Sequence, residues 1–310
     1  MEISELNIRN IINIMEALIT THPDTLYKSE NIIKKLVKYP EFLSIVNLFE
    51  TLADDPTTKD KLSSLMISED VFNEIWSEIH NNSDQSKIIG LIKIVTAVYH
   101  CNSDESRCFA DKLIEFVFFC LKFSDNQILS LSYILARKMI NIIVGNDVAF
   151  CELLDNAMIL VNNLDDKIYE SQVRALDYIC SSFTVNFVTS SMMYDSKQII
   201  GTFKELIEKS KNNSFLFLSL FNFVSVLANT TEYSDEIIGD FVSFLLEKYL
   251  EGNRTFCAFC KDFFVYIRKC VGDDVIFENF LEKEKYENFI EISNEYSSYI
   301  DTINVYTTMK

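Results

Sequence analysis

Strongly apolar segments recur along the chain, and each runs out into a short polar turn. "FLSIVNLFETLADD" closes at Asp55, "IIGLIKIVTAVYHCNSDE" at Glu105, "LSYILARKMINIIVGND" at Asp147, "VRALDYICSSF" at Phe183, "FNFVSVLANTTEYSDE" at Glu236 and "FCAFCKDFFVYIRKCVGDD" at Asp274. Within each, apolar residues fall at helical spacing, so each predicts a helix buried on more than one side. A second segment follows each: "SEDVFNEIWSEIHNN", "FADKLIEFVFFCLKFSD", "VAFCELLDNAMILVNNLDD", "SKQIIGTFKELIEKSKNN", "EIIGDFVSFLLEKYLEGN" and "VIFENFLEKEKYENFIEIS". These carry an apolar stripe and a polar face, which predicts helices with one side in water. Comparable positions recur about every 40 to 46 residues, a spacing of helical repeats.

Composition removes the competing β reading. The chain of 310 residues has only 6 glycines and 3 prolines, and no proline follows Pro56. Tight β-hairpins need glycine or asparagine–glycine turns far more often than this. With 48% hydrophobic residues the chain can bury a large core.

The alternation of a very apolar helix with an amphipathic one at this period resembles the armadillo and HEAT class of helical repeats. That resemblance covers roughly Phe42 to Ser297. It implies an all-α fold, a right-handed α-α superhelix in which helix pairs stack because no pair can cover its own apolar face. It further implies a single domain over residues 1–310. Residues 1–41 would supply N-terminal capping helices, 42–273 the repeats, and 274–310 a C-terminal capping helix and tail. Whether the subtype is armadillo or HEAT stays open, and an irregular α-bundle is the competing architecture. The proline and glycine common in the first turn of armadillo repeats are missing. The asparagine ladder of armadillo peptide-binding grooves is missing too, since only Asn141 and Asn222 fall at comparable places and the lone Trp76 lies on an outer-type helix.

Candidate chemistry is sparse. Cys257 and Cys260 have the Cys-x-x-Cys spacing, but no second pair completes a zinc quartet, and Phe256, Phe259, Phe263, Phe264 and Ile267 share their turns. Core packing is the favoured reading, with metal or redox use as the alternative. His100, Cys101 and Cys108 gather soft ligands at an inter-helix turn; an all-α enzyme with a nonstandard site near His100 and Cys108 is the second functional reading. Glycines are never closer than 13 residues, so neither phosphate-loop nor dinucleotide motifs can be written. The pairs Asp54-Asp55, Asp165-Asp166 and Asp273-Asp274 sit at inter-helix turns, where acids are expected to cap exposed N–H groups.

Charge gives direction. With 46 acidic and 28 basic residues the net charge is -18, a field that repels nucleic-acid phosphates and anionic membrane surfaces and attracts basic proteins. The N-terminal "MEISELN" has neither a basic nor an apolar stretch of a secretory signal, and no apolar run reaches the roughly 20 residues of a membrane span. Together with eight dispersed cysteines this predicts a cytoplasmic or nuclear protein with reduced thiols, monomeric or weakly associating. The expected function is a non-enzymatic scaffold or adaptor, without metal or cofactor, that binds a protein partner of basic character along a groove. Lys93, Arg137, Asn141, Arg174, Asp177 and Asn222 are the candidate groove residues, because each interrupts a very apolar helix. Reversing Arg137 or Asp177 is expected to weaken partner binding without changing stability, as surface charges do.

Overall fold

The structure is a computed structural model that describes residues 5–22, 30–99, 109–163, 169–209, 219–220, 223–224, 235–252, 260–261, 263–265, 267–268 and 278–308. Among the described residues every regular element is helical and no strand occurs. The helices are α1 (Glu5–Thr21), α2 (Glu30–Leu36), α3 (Leu43–Asp54), α4 (Lys59–Ile67), α5 (Glu69–Asn81), α6 (Gln85–Val98), α7 (Ala110–Cys120), α8 (Asn126–Lys138) and α9 (Ile140–Ile143). They continue with α10 (Asp147–Val161), α11 (Tyr169–Val185), α12 (Phe187–Met193), α13 (Ser196–Lys209), α14 (Asp235–Leu250) and α15 (Lys283–Thr308). None of the described helices is long and apolar enough to cross a membrane.

Helix starts are set by short polar side chains, as the Asn- and Asp-rich turns predict. The Asp84 carboxylate accepts from the Ser86 N–H, Asp125 from those of Gln127 and Ile128, Asn146 from that of Ala149, and Asn186 from that of Thr189. Each satisfies backbone donors that the first helical turn leaves without partners.

The helices gather into two compact units, Met1–Ile179 and Cys180–Lys310, and the division falls inside α11. In the first unit α3 packs on α6 and α6 on α8. Asn126 at the start of α8 accepts a bond from the Ser171 N–H of α11 (3.0 Å), and the buried rings of Tyr133 and Tyr178 lie 6.0 Å apart. A second row joins the turn after α2 to α5 through Lys38 and Glu74 (2.6 Å). It joins α5 to α7 through Phe72 against Phe116 (6.3 Å) and Trp76 against Phe119 (6.0 Å). The Lys38 ammonium is held above its ordinary pKa by its hydrogen bond to Glu74 and by that carboxylate's charge.

Contact between α2–α3 linker and α6 is closest at Gly90. A Cβ built there would stand 2.0 Å from the Pro40 carbonyl oxygen, so only glycine lets the two backbones approach.

The second unit has an aromatic core of its own. Phe183 meets Phe223 edge-on at 5.1 Å, Phe241 meets Phe263 at 4.9 Å, and Phe264 meets Phe289 at 5.8 Å. On its surface Lys204 reaches Asp240 (2.7 Å), Lys248 reaches Glu208 (3.4 Å) and Lys285 reaches Glu247 (2.6 Å), tying α13 to α14 and α14 to α15. Hydrogen bonds between elements recur at similar chain separations in both units: 35 residues for Ser63 to Val98, 42 for Lys138 to Thr96, 45 for Ser171 to Asn126, 36 for Lys204 to Asp240 and 42 for Lys285 to Ser243.

The short helices α4 and α12 are not visible in the apolar pattern: α4 buries Leu62, Leu65 and Met66 but is only nine residues long, and α12 buries no apolar side chain. "LSYILARKMINIIVGND", one segment in the sequence, is divided at Met139 into α8 and α9.

Candidate functional site

Three helices of the first unit, α3, α6 and α8, open a groove of about 390 Å³. On α6, Leu91, Ile92, Ile94, Val95 and Val98 turn into the core, which leaves Lys93 and Ala97, four residues apart, on one outward strip. From one side α3 contributes Glu50 and Asp54, again four apart. From the other, α8 contributes Leu131 and Lys138, seven apart. The groove is therefore the meeting of three helix faces whose membership is set by the 3.6-residue period.

Not all of its charges are paired. The Lys138 ammonium donates to the Thr96 carbonyl (2.9 Å), in the last turn of α6, where carbonyls lack helical partners and a cation suits the negative end of the dipole. Lys93, half-buried, lines the groove from α6, which packs on both α3 and α8. Among the described residues Lys93, Glu50 and Asp54 have no ion-pair or side-chain hydrogen-bond partner, although all three line the same groove.

Of the residues expected from the sequence to form a groove, Lys93 does so here. Arg137 and Asp177 form an ion pair of 2.8 Å that joins α8 to α11 on the continuation of this row. Asp177 is only 7% exposed, so the expectation of an open surface charge is corrected. A helix interrupted by an acid can bury it when the neighbouring helix supplies a guanidinium. Arg174, half-buried, lies one turn before Asp177 on α11. Asn141 instead lines a separate cavity with Asp111, Asn146 and Asp147, where α7 and α10 begin. Asn222 lies outside the described residues, as do His100, Cys101, Cys108, Cys257 and Cys270.

Cys260 is fully buried, its thiol donating to the Leu245 carbonyl (3.7 Å). Burial likewise pushes the Cys120 thiol far above its ordinary pKa, against a smaller opposing contribution from the Ser132 hydroxyl. Neither thiol is suited to nucleophilic work, which needs an accessible thiolate.

The aspartate pair at the end of α3 divides. Asp55 accepts from the N–H (2.8 Å) and hydroxyl (2.7 Å) of Thr57, and these bonds hold its carboxyl below the usual range. Asp54 makes no capping bond and faces the groove instead, which corrects the expectation that both cap. Asp165, Asp166, Asp273 and Asp274 lie outside the described residues. Glu50 and Lys138 were not picked out from the sequence, and Asp54 was expected there only as a cap. The available signal was the i,i+4 spacing of Glu50 and Asp54 on a helix whose last turn carries no base.

Comparison of the chain with protein-family models, with curated proteins and with solved structures gives no match.

Proposed function

We propose that the protein is a non-enzymatic scaffold whose helix pairs stack as an armadillo- or HEAT-like solenoid and which binds a partner protein along the polar row of α3, α6, α8 and α11. One observation carries this reading. Very apolar helices carry charged residues here: Glu50, Asp54, Lys93 and Lys138 line one groove of α3, α6 and α8, and Arg137 pairs with Asp177 to join α8 to α11. Charges set into very apolar helices cost stability unless they serve a surface. Support for the stacking comes from five hydrogen bonds between elements that span 35 to 45 residues, close to the period of the apolar segments. A net charge of -18 favours a basic partner and argues against nucleic acid.

The test uses the full chain as bait in native cell extract at low and high salt, with the captured proteins identified by mass spectrometry. Because Asp177 is buried against Arg137, a single reversal would strain the fold. The swap Arg137→Asp with Asp177→Arg keeps a pair while inverting the field presented to a partner. We expect the swap, and separately Lys93→Glu, to reduce recovery of a salt-sensitive partner while the melting temperature stays close to wild type. Full recovery with both variants would remove this row as the binding surface.

A further inference from the structure

We propose that the cavity between α7, α8 and α10 binds a small neutral ring compound carrying one hydrogen-bond acceptor, with the ring among apolar side chains and the acceptor on the Tyr133 hydroxyl. This site is separate from the polar row and does not rest on the scaffold reading.

The cavity has a volume of about 520 Å³, inside the roughly 300 to 1,000 Å³ range of small-molecule pockets. Helical periodicity builds it. On α8, Leu129 and Tyr133 are four residues apart and share a face, while Leu131 and Lys138, seven apart, share the opposite face and line the polar groove. To the same cavity α7 brings Phe118, the turn after it brings Phe123, and α10 brings Asn156 and Leu160, again four apart.

Tyr133 distinguishes this cavity from an ordinary gap between helices. The residue is 1% exposed, and its ring lies 6.0 Å from that of Tyr178. The Tyr178 oxygen is sealed in the core, whereas the Tyr133 oxygen is not, and it opens on the cavity that its residue lines. Among the described residues the Tyr133 hydroxyl has no hydrogen-bond partner. A hydroxyl this deep is ordinarily bonded, and a ligand oxygen in the cavity would complete it. Burial, and to a lesser degree Tyr178 beside it, holds the Tyr133 phenol above its ordinary pKa. It therefore stays neutral and can donate.

These surroundings select the ligand class. A carboxylate or ammonium would lose its hydration for one neutral hydroxyl. Lys122 and Glu152 are exposed beside the cavity, and their opposite charges, screened by water, select no net charge on a ligand. A plain hydrocarbon would leave the hydroxyl unbonded. A flat ring suits Phe118 and Phe123, because aromatic groups pack well both offset-stacked and edge to face. A carbonyl or ether oxygen on that ring can then meet Tyr133.

The experiment titrates the full chain with acetophenone, ethylbenzene and benzoate, followed by saturation-transfer NMR; the three share a ring and differ in acceptor and charge. We expect acetophenone to bind about fivefold more tightly than ethylbenzene, the effect of one hydrogen bond, and benzoate not to bind. Nonspecific adsorption would give the reverse order, since ethylbenzene is the more apolar. Tyr133→Phe keeps the ring and removes only the hydroxyl, so it should bring acetophenone to the level of ethylbenzene and leave ethylbenzene unchanged. Asn156→Trp, at a half-buried position on α10, should fill the cavity and weaken both by about tenfold or more. Circular dichroism checks that the variants fold, and if Asn156→Trp does not, Tyr133→Phe still decides. The proposal is overturned if acetophenone binds no more tightly than ethylbenzene, if its preference survives Tyr133→Phe, if a folded Asn156→Trp binds like wild type, or if neither neutral probe binds up to its solubility limit.

Discussion

The surface of the second unit and the groove of the first use the same residue types for different ends. Along α13, α14 and α15, Lys204, Lys248 and Lys285 each meet a carboxylate of the adjoining helix at 2.6 to 3.4 Å. Lys204 and Lys248 also flank the ring of Phe244 at 5.4 and 5.7 Å. Those charges are consumed in holding helices together. In the groove of α3, α6 and α8, two acids and a lysine remain unpaired. Charge composition is therefore a poor guide to binding; the informative quantity is whether opposite charges that face one another have closed.

Both regions depend on the apolar helices beneath them, and the largest effect should come from there. Leu135 beneath the first region and Leu220 in the second unit are fully buried. Replacing either with Asp should cost about 3 to 5 kcal/mol through an unpaired buried charge, read as a shift of the denaturant midpoint. A variant with wild-type stability would mean that the helix beneath the charges is not part of the core.

Two glycines give a sharper pair. Gly90→Ala forces a methyl against the Pro40 backbone and should cost about 3 kcal/mol, distorting the α6 face that carries Lys93. Gly201→Ala, on α13, meets nothing within 4 Å and should raise stability by about 0.5 to 1 kcal/mol, because alanine is the better helix former. Equal effects from the two substitutions would contradict the close approach at Pro40.

The smallest effect tests the lysine links directly. The hydrogen bond that Lys285 donates to Glu247, together with that carboxylate's charge, raises the Lys285 pKa above its ordinary value of 10.5, against a partial opposing effect of burial. A raised folded-state pKa means that the contribution is fully present below pH 10.5 and is lost as pH rises through the folded value. Wild type should therefore lose slightly more stability than Lys285→Met between pH 9 and 11, by a few tenths of a kcal/mol for so exposed a pair. Added salt should reduce that difference, whereas Lys93→Met, which breaks no pair, should leave both stability and its salt dependence unchanged. Identical pH and salt curves for Lys285→Met and wild type would show that this link holds nothing.

Some of this was legible in the residues. The apolar spacing marked the cores of α3, α5, α6, α7, α8, α10, α11, α13 and α14, and the polar turns between segments marked the helix ends where Asp84, Asp125 and Asn146 cap. Lys93 and Arg137 stood out because a charge within an apolar helix is conspicuous. Glu50, Asp54 and Lys138 did not, because near a helix end a charge is ordinary. Asp54 resembled its neighbour Asp55 until the fold sent one to Thr57 and the other to the groove.

The sequence by itself determined that this chain is helical and which face of each helix is buried, because helical periodicity and the scarcity of glycine and proline act within a few residues of one another. Which charges pair was decided only by tertiary structure. Arg137 and Asp177 lie 40 residues apart in the chain and 2.8 Å apart in space, while Lys93 shares a groove with Asp54 and leaves it unpaired. The Coulomb energy of a pair changes steeply over a few ångströms and with burial, and those distances are fixed by how α3, α6, α8 and α11 pack, through contacts that no local pattern encodes.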